Sequence, residues 1–156
     1  MTASSDGRCP CGAVAFAIGG APLLRLFCHC TICRAYNGAP HADVTAFRAD
    51  EVDVADENAI AYRAWKRPPI VRRGTCRACD APAIERARLP VLPDLVIVPT
   101  ANLADAGLAP APTRHIYYAS RVADVDDALP KHAGGMSSQL AFARDLVGGL
   151  RRARRG

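Results

Sequence analysis

Seven cysteines lie in three short clusters along this chain of 156 residues. The clusters are Cys9-Pro10-Cys11, Cys28-His29-Cys30-Thr31-Ile32-Cys33 and Cys76-Arg77-Ala78-Cys79. Such C-x-C and C-x-x-C spacings match the way a backbone presents thiolates to zinc, and two pairs supply the four sulfurs of a closed tetrahedral site. Seven ligands do not fill two closed sites. The count therefore predicts one zinc with four sulfur ligands and a second with three and an open position.

Length and composition predict one globular domain. Half of the residues are hydrophobic and 22% are charged, which is enough apolar material to bury a core. We expect residues 1–135 to form the zinc-binding domain and residues 136–156 to form a C-terminal helix with an arginine-rich tail. The first eight residues lack the apolar segment of a secretory signal, and no apolar run approaches the roughly 18 residues of a membrane span. We therefore expect a cytoplasmic protein whose thiols stay reduced.

The positive charge is concentrated at the end of the chain. The formal net charge is +5, and residues 136–156 carry five arginines against Asp145 alone, which leaves +1 for everything before them. Aromatic residues make up only 6% of the chain and no basic stripe interleaves with them, which argues against nucleic-acid binding by the body of the protein. Binding of nucleic acid through the arginine tail is the last of three functional hypotheses.

Alternating apolar residues and frequent prolines predict a mainly β protein. The predicted strands cover residues 11–18, 23–30, 42–47, 59–65, 70–74, 83–87, 95–98 and 115–120. The first two should pair as a hairpin across the turn at Gly19-Gly20-Ala21-Pro22. One helix is expected, capped by Ser137-Ser138, with an apolar stripe of Leu140, Phe142, Ala143, Leu146 and Val147. The predicted fold is therefore a set of small antiparallel sheets with one C-terminal helix.

Spacing also indicates how the ligands divide between the two metals. Residues two apart in a strand point to the same face, so Cys28 and Cys30 should reach one metal while His29 points away. Cys33 returns to that metal if the chain turns at Thr31-Ile32. The two remaining pairs, Cys9/Cys11 and Cys76/Cys79, then form the four-cysteine site. Other pairings, such as Cys76/Cys79 with Cys30/Cys33, stay open at this stage.

A zinc ion on three thiolates has a distinctive chemistry. It carries a net charge of −1, which makes it a poor Lewis acid toward water, and its open position should prefer a fourth sulfur from an incoming thiol. The alternative is that a protein side chain fills that position, the candidates being His29, His41, His115 and Asp43. His29 and His41 are also the nearest candidates for a general acid or base. Arg72 and Arg73 could receive a substrate carboxylate, although arginine pairs on exposed strands are usually solvated.

These residues together resemble the glutathione-dependent formaldehyde-activating enzyme family, which includes centromere-protein-V-like proteins. The family's C-x-C-G opening is matched by Cys9-Pro10-Cys11-Gly12, its C-H-C-x-x-C-R motif by residues 28–34 with Gly38 following, and its later C-x-x-C by residues 76–79. The closing elements are matched by His115-Ile116-Tyr117-Tyr118, Ser120-Arg121 and Leu129-Pro130. The resemblance covers about residues 8–132. Thr75 and Asp80 depart from it, because the family usually has an aromatic residue before the second C-x-x-C and glycine after it.

The resemblance implies a fold, an activity and roles for the cysteines. Family members look like a β-tent of small antiparallel sheets around a structural zinc held at the positions of Cys9, Cys11, Cys76 and Cys79. The positions of Cys28, Cys30 and Cys33 hold a labile zinc at the reactive site, with glutathione as co-substrate. The implied activity is condensation of formaldehyde with glutathione, a carbon–sulfur lyase reaction. The alternative function is a non-enzymatic zinc module for protein binding or thiol carriage.

Overall fold

A computed structural model describes residues 5–156, which form ten strands and two α-helices. The strands are β1 (Gly7–Arg8), β2 (Ala15–Ile18), β3 (Leu24–Cys28), β4 (Ala42–Arg48), β5 (Val52–Val54), β6 (Ile60–Ala64), β7 (Val71–Cys76), β8 (Pro82–Ala87), β9 (Leu95–Pro99) and β10 (His115–Ile116). The helices are α1 (Thr31–Asn37) and α2 (Gly135–Arg155). Within the described residues, neither helix is long and apolar enough to cross a membrane. The predicted mainly β fold with a C-terminal helix is confirmed.

The ten strands form two separate sheets. The larger has seven strands in the order β10-β3-β4-β9-β8-β7-β6, antiparallel except where β10 runs parallel to β3, and the smaller has the order β1-β2-β5. The apolar residues form two buried clusters. One surrounds Leu26 and Leu95 and includes Cys28 and Cys33, and the other surrounds Phe16 and includes Cys9 and Cys76. Each cysteine group therefore borders its own part of the core.

The predicted hairpin between residues 11–18 and 23–30 is wrong. β2 pairs with β1 and β5, whereas β3 pairs with β4 and β10. Phe16 on β2 is buried in one core cluster and Leu26 on β3 in the other, so the intervening Gly19–Pro22 connection carries the chain from one sheet to the next. Alternation of apolar residues identifies the buried face of a strand, but it does not identify the strand's partner.

Helix α1 was not expected from the sequence. Its N-cap is Cys30, whose Sγ accepts a hydrogen bond from the backbone N–H of Cys33 at 3.3 Å. Its C-cap is Gly38, which has φ of 58° and donates its backbone N–H to the carbonyl of Arg34. A left-handed residue after the last turn is the position that glycine favours, so Gly38 was the available signal. The helix is too short for a hydrophobic period to reveal it.

Helix α2 begins before the predicted cap, and only Phe142 and Leu146 of the predicted apolar stripe pack on the core. It begins after Gly134 instead of at the Ser137-Ser138 cap, and it continues through the two glycines to Arg155. Its buried positions are Ser138, Ala141, Leu146 and Gly149, whereas Leu140 from the predicted stripe is 61% exposed. A side chain at Gly149 would overlap the backbone carbonyl of Leu23. The glycine thus allows the helix to lie directly against the start of β3.

Candidate functional site

Four of the cysteines come together to form a group that could hold a metal ion. The sulfurs of Cys9, Cys11, Cys76 and Cys79 all lie within 4.8 Å of one another. Cys11 Sγ lies 3.6 Å from Cys9 Sγ and 3.6 Å from Cys76 Sγ. Four sulfurs around a tetrahedral zinc, each about 2.3 Å from the metal, are about 3.8 Å apart, so this donor set fits such an ion. We call it the four-cysteine cluster.

Two similar turns present the four sulfurs. The backbone N–H groups of Val14 and Ala78 each lie 3.4 Å from a cysteine sulfur, Cys9 Sγ and Cys76 Sγ respectively. The residue after each cysteine pair is left-handed, with φ of 82° at Gly12 and 60° at Asp80. Aspartate tolerates this conformation better than most residues, so Asp80 can follow the second cysteine pair as Gly12 follows the first. Backbone N–H donors of this kind stabilise thiolates.

The other three cysteines lie at the junction of β3 and α1. The sulfurs of Cys28, Cys30 and Cys33 lie within 4.8 Å of one another, with Cys28 and Cys33 buried and Cys30 partly exposed. The prediction that Cys28 and Cys30 share one strand face is wrong, because β3 ends at Cys28 and Cys30 caps the helix. The helical turn, instead of a strand, brings the sulfurs together. We call this the three-cysteine cluster.

No fourth histidine, cysteine, aspartate or glutamate joins the three-cysteine cluster within residues 5–156. Three of the four candidate side chains proposed from sequence are engaged elsewhere. Asp43 receives two hydrogen bonds from Arg25, at 2.8 and 2.9 Å, and His29 and His115 bond each other. The donor chemistry of three soft sulfurs fits a zinc ion with one position left for another ligand.

A buried ion pair adjoins the three-cysteine cluster. Arg73 Nε lies 2.7 Å from Glu85 Oε1, and the Arg73 Nη2 group points at Cys33 Sγ across 3.8 Å. The side chains are only 11% and 4% exposed. Burial raises the pKa of Glu85 to about 7, although the charge of Arg73 opposes the rise. The preceding residue, Arg72, is exposed, so only one of the two arginines noted in the sequence faces the cysteines.

A chain of hydrogen-bonded side chains begins at His29, which lies between Cys28 and Cys30 in the sequence. His29 Nε2 lies 2.9 Å from His115 Nδ1, and His115 Nε2 lies 2.7 Å from Asp127 Oδ2. Hydrogen bonds from Lys131 and then His115 hold the pKa of the Asp127 carboxyl well below its usual range. The ring of His41 stacks beside that of His29, with centroids 4.9 Å apart. We call this chain the histidine network.

The hydrogen-bond partners in the network fix its tautomers. Ionised Asp127 can only accept, so His115 donates from Nε2 and accepts at Nδ1 from the Nε2–H of His29. His29 is then left with a bare lone pair at Nδ1, which is buried and has no partner among the described residues. Burial, followed by the charges of His41 and His115, lowers the pKa of His29 to about 4. No local sequence pattern predicts this network, because parallel pairing of β10 with β3 brings residues 86 apart into contact.

The fold and the paired cysteine clusters define a mainly β protein with two candidate metal centres. A solved crystal structure of a Rhodobacter sphaeroides protein is similar, with a TM-score of 0.53 and 21% sequence identity over 68% of this chain and 96% of that one. This likeness concerns the fold alone. Comparison with curated protein sequences finds no match.

The family follows from the sequence itself. Residues 4–120 match the family model described as glutathione-dependent formaldehyde-activating enzyme. The match covers most of the chain and includes all seven cysteines of both clusters. The chain belongs to the glutathione-dependent formaldehyde-activating enzyme family.

Proposed function

We propose that the protein is a zinc-dependent carbon–sulfur lyase acting on a thiol–aldehyde adduct of the glutathione–formaldehyde kind. The observation that carries the proposal is the three-cysteine cluster, which no fourth ligand completes within residues 5–156. Membership of the family supports thiol and formaldehyde chemistry. The residues that would hold the labile zinc are Cys28, Cys30 and Cys33. A zinc ion there supplies a position at which a thiol sulfur binds as its thiolate.

In the condensation direction, the sulfur of glutathione forms a bond to the carbonyl carbon of formaldehyde. The carbonyl π electrons move to oxygen, and that oxygen takes up one proton, which balances the proton that the thiol gives up on becoming a thiolate, to give the S-hydroxymethyl adduct. The lyase direction reverses each step. A protein group must therefore exchange a proton with the hydroxyl oxygen. We propose His29 for this contact, since its Nδ1 offers a buried acceptor without a partner, with His41 as the adjoining candidate.

We propose a different role for the four-cysteine cluster. Cys9 and Cys11 lie near the start of the chain and Cys76 and Cys79 in its middle, so a zinc ion there would join two distant turns and stabilise the fold. A reducing compartment such as the cytoplasm would keep these thiols available, and all seven cysteines are free.

Zinc content per chain, measured before and after dialysis against excess glutathione, tests the proposal. We expect two zincs to fall to one, and we expect Cys30→Ala to lack the labile zinc from the start. The exchange of formaldehyde with its glutathione adduct, followed by NMR, should be accelerated by the wild type and not by Cys30→Ala. A zinc content that stays at two per chain after dialysis against glutathione, together with no acceleration of the formaldehyde exchange, would support the non-enzymatic module in place of the lyase.

A further inference from the structure

We propose that Arg73, ion-paired with Glu85, makes the three-cysteine cluster selective for an anionic sulfur ligand over a neutral one. This inference rests on the proposed function, and it concerns which substrates that centre accepts. Arg73 acts here as a specificity-determining residue that works through charge, without itself binding the metal.

The charge balance of the centre makes a nearby cation important. A divalent ion on three thiolates carries a net charge of −1, and a fourth thiolate takes it to −2. Adding a neutral ligand leaves it at −1. A cation beside the sulfurs therefore stabilises the thiolate-bound state more than the states before it, because the Coulomb energy grows with the charge on the centre.

Arg73 is placed to supply this cation. Its Nη2 group lies 3.8 Å from Cys33 Sγ, within reach of a hydrogen bond to sulfur. Its side chain is only 11% exposed, so water screens its charge poorly. The neighbouring positions on β7 do not share this placement, because Arg72 points to the opposite face and is exposed.

Glu85 forms an ion pair with this charge on the side away from Cys33 Sγ. It contacts Arg73 through Nε, which leaves the Nη2 end of the guanidinium for the cysteines. The Nη2 end of the guanidinium therefore faces the cluster, while the Glu85 carboxylate lies at the Nε side and opposes the charge of Arg73 at the sulfurs. Removing the carboxylate should leave Arg73 with its full positive charge facing the sulfurs.

An ion pair that only stabilises the sheet would show some of the same contacts as the proposed pair. Arg73 and Glu85 are direct cross-strand partners on β7 and β8, and such pairs can stabilise a sheet without any effect on a ligand. The two roles differ in what they predict. A structural pair affects the unfolding of every form of the protein, whereas the proposed role changes the affinity for thiolates and leaves neutral ligands unaffected.

The experiment uses the full chain loaded with cobalt(II), whose absorption spectrum reports sulfur ligands, and titrates it with glutathione and separately with imidazole. The variants are Arg73→Gln and Arg73→Lys, with Arg72→Gln as the matched control on the same strand. We expect Arg73→Gln to weaken glutathione binding about tenfold or more, as changes beside metal ligands commonly do. Arg73→Lys should restore part of the loss. The affinity for imidazole should stay at the wild-type level in every variant. Arg72→Gln should bind glutathione as tightly as the wild type does.

A second variant controls for the case in which Arg73→Gln weakens binding only because it misfolds. Glu85→Gln keeps a side-chain oxygen that can accept from Arg73 Nε–H and removes the opposing negative charge, so this variant should bind glutathione more tightly than the wild type. Misfolding cannot produce such a gain. Equal glutathione affinity in the wild type, Arg73→Gln and Glu85→Gln would overturn this inference alone. A wild-type spectrum that does not respond to glutathione would instead overturn the proposed function, and the inference with it.

Discussion

Glu85 is a carboxylate with almost no access to water. The titratable groups that face it are Arg73 from β7 and, from α1 and its cap, Tyr36, Cys33 and Cys30. Burial raises its pKa from 4.5 to about 7. Between these two pH values the unfolded chain ionises Glu85 more readily than the folded protein does. The residue therefore lowers the free energy of unfolding progressively as the pH rises through this window.

We expect Glu85→Gln to remove this pH dependence. One pKa unit corresponds to about 1.4 kcal/mol, so the variant should gain up to about 3 kcal/mol relative to the wild type between pH 4.5 and pH 7. Urea unfolding of both proteins at pH 4.5 and pH 8, with the exposed Glu57→Gln as control, measures the change. A stability difference that is the same at both pH values would contradict the prediction.

Asp127 determines which nitrogen of His29 carries the proton. In Asp127→Asn the side-chain amide can donate to His115 Nε2, which would turn both histidines to the other tautomer and place a proton on His29 Nδ1. We expect this exchange in the ¹⁵N NMR signals of the His29 ring. Asp124→Asn, on an exposed aspartate paired with Arg121, is the matched control and should leave those signals unchanged. Unchanged ring signals in Asp127→Asn would show that His29 takes its tautomer from another source.

Adjacent glycines in α2 have opposite roles in the packing of that element. A methyl group at Gly148 would make only an ordinary van der Waals contact with the guanidinium of Arg152, at 3.4 Å, whereas one at Gly149 would overlap the backbone of Leu23. We expect Gly148→Ala to stabilise the protein by roughly 0.5–1 kcal/mol, since alanine favours helices. Gly149→Ala should destabilise it by about 1–3 kcal/mol, because the helix must move away from β3.

Thermal unfolding of the two alanine variants tests this comparison, and each serves as the control for the other. The same substitution is made one residue apart in one helix, so any difference reflects packing instead of helix propensity. Stabilisation by both variants would mean that α2 does not lie against β3 as closely as the structure has it.

The positions of the strands could be predicted from the sequence better than the pairing between them. Alternating apolar residues located the strands of the large sheet to within a few residues, because that pattern reports a buried face. It could not distinguish pairing of β2 with β3 from pairing with β5, since either buries Phe16. Strands of two or three residues, such as β1 and β5, are too short for alternation to reveal them.

Some features of the candidate site could be predicted from the sequence and others could not. Ligand spacing grouped the seven cysteines into the four and the three that the structure brings together. The contact between Arg73 and Cys33 and the link between His29 and Asp127 depend on how distant strands are ordered in the sheet, and no local pattern records that order.

For the whole molecule, the two clusters should contribute very differently to stability. The four-cysteine cluster joins turns 65 residues apart, at Cys11 and Cys76, whereas the three-cysteine cluster lies within six consecutive residues. A metal that closes the longer loop removes more conformational freedom from the unfolded chain. Its binding free energy is also more closely tied to folding, because the unfolded chain does not assemble its ligands.

We therefore expect Cys76→Ser to lower the melting temperature of the zinc-loaded protein much more than Cys33→Ser does. The pair is matched, since Cys76 and Cys33 are both buried, at 0% and 8% exposure, and the same atom is exchanged in each. Excess chelator should remove most of the difference between them, because it removes the metal whose loss the substitution mimics. Equal losses in the zinc-loaded proteins would mean that the four-cysteine cluster is not what holds the first turn to the middle of the chain.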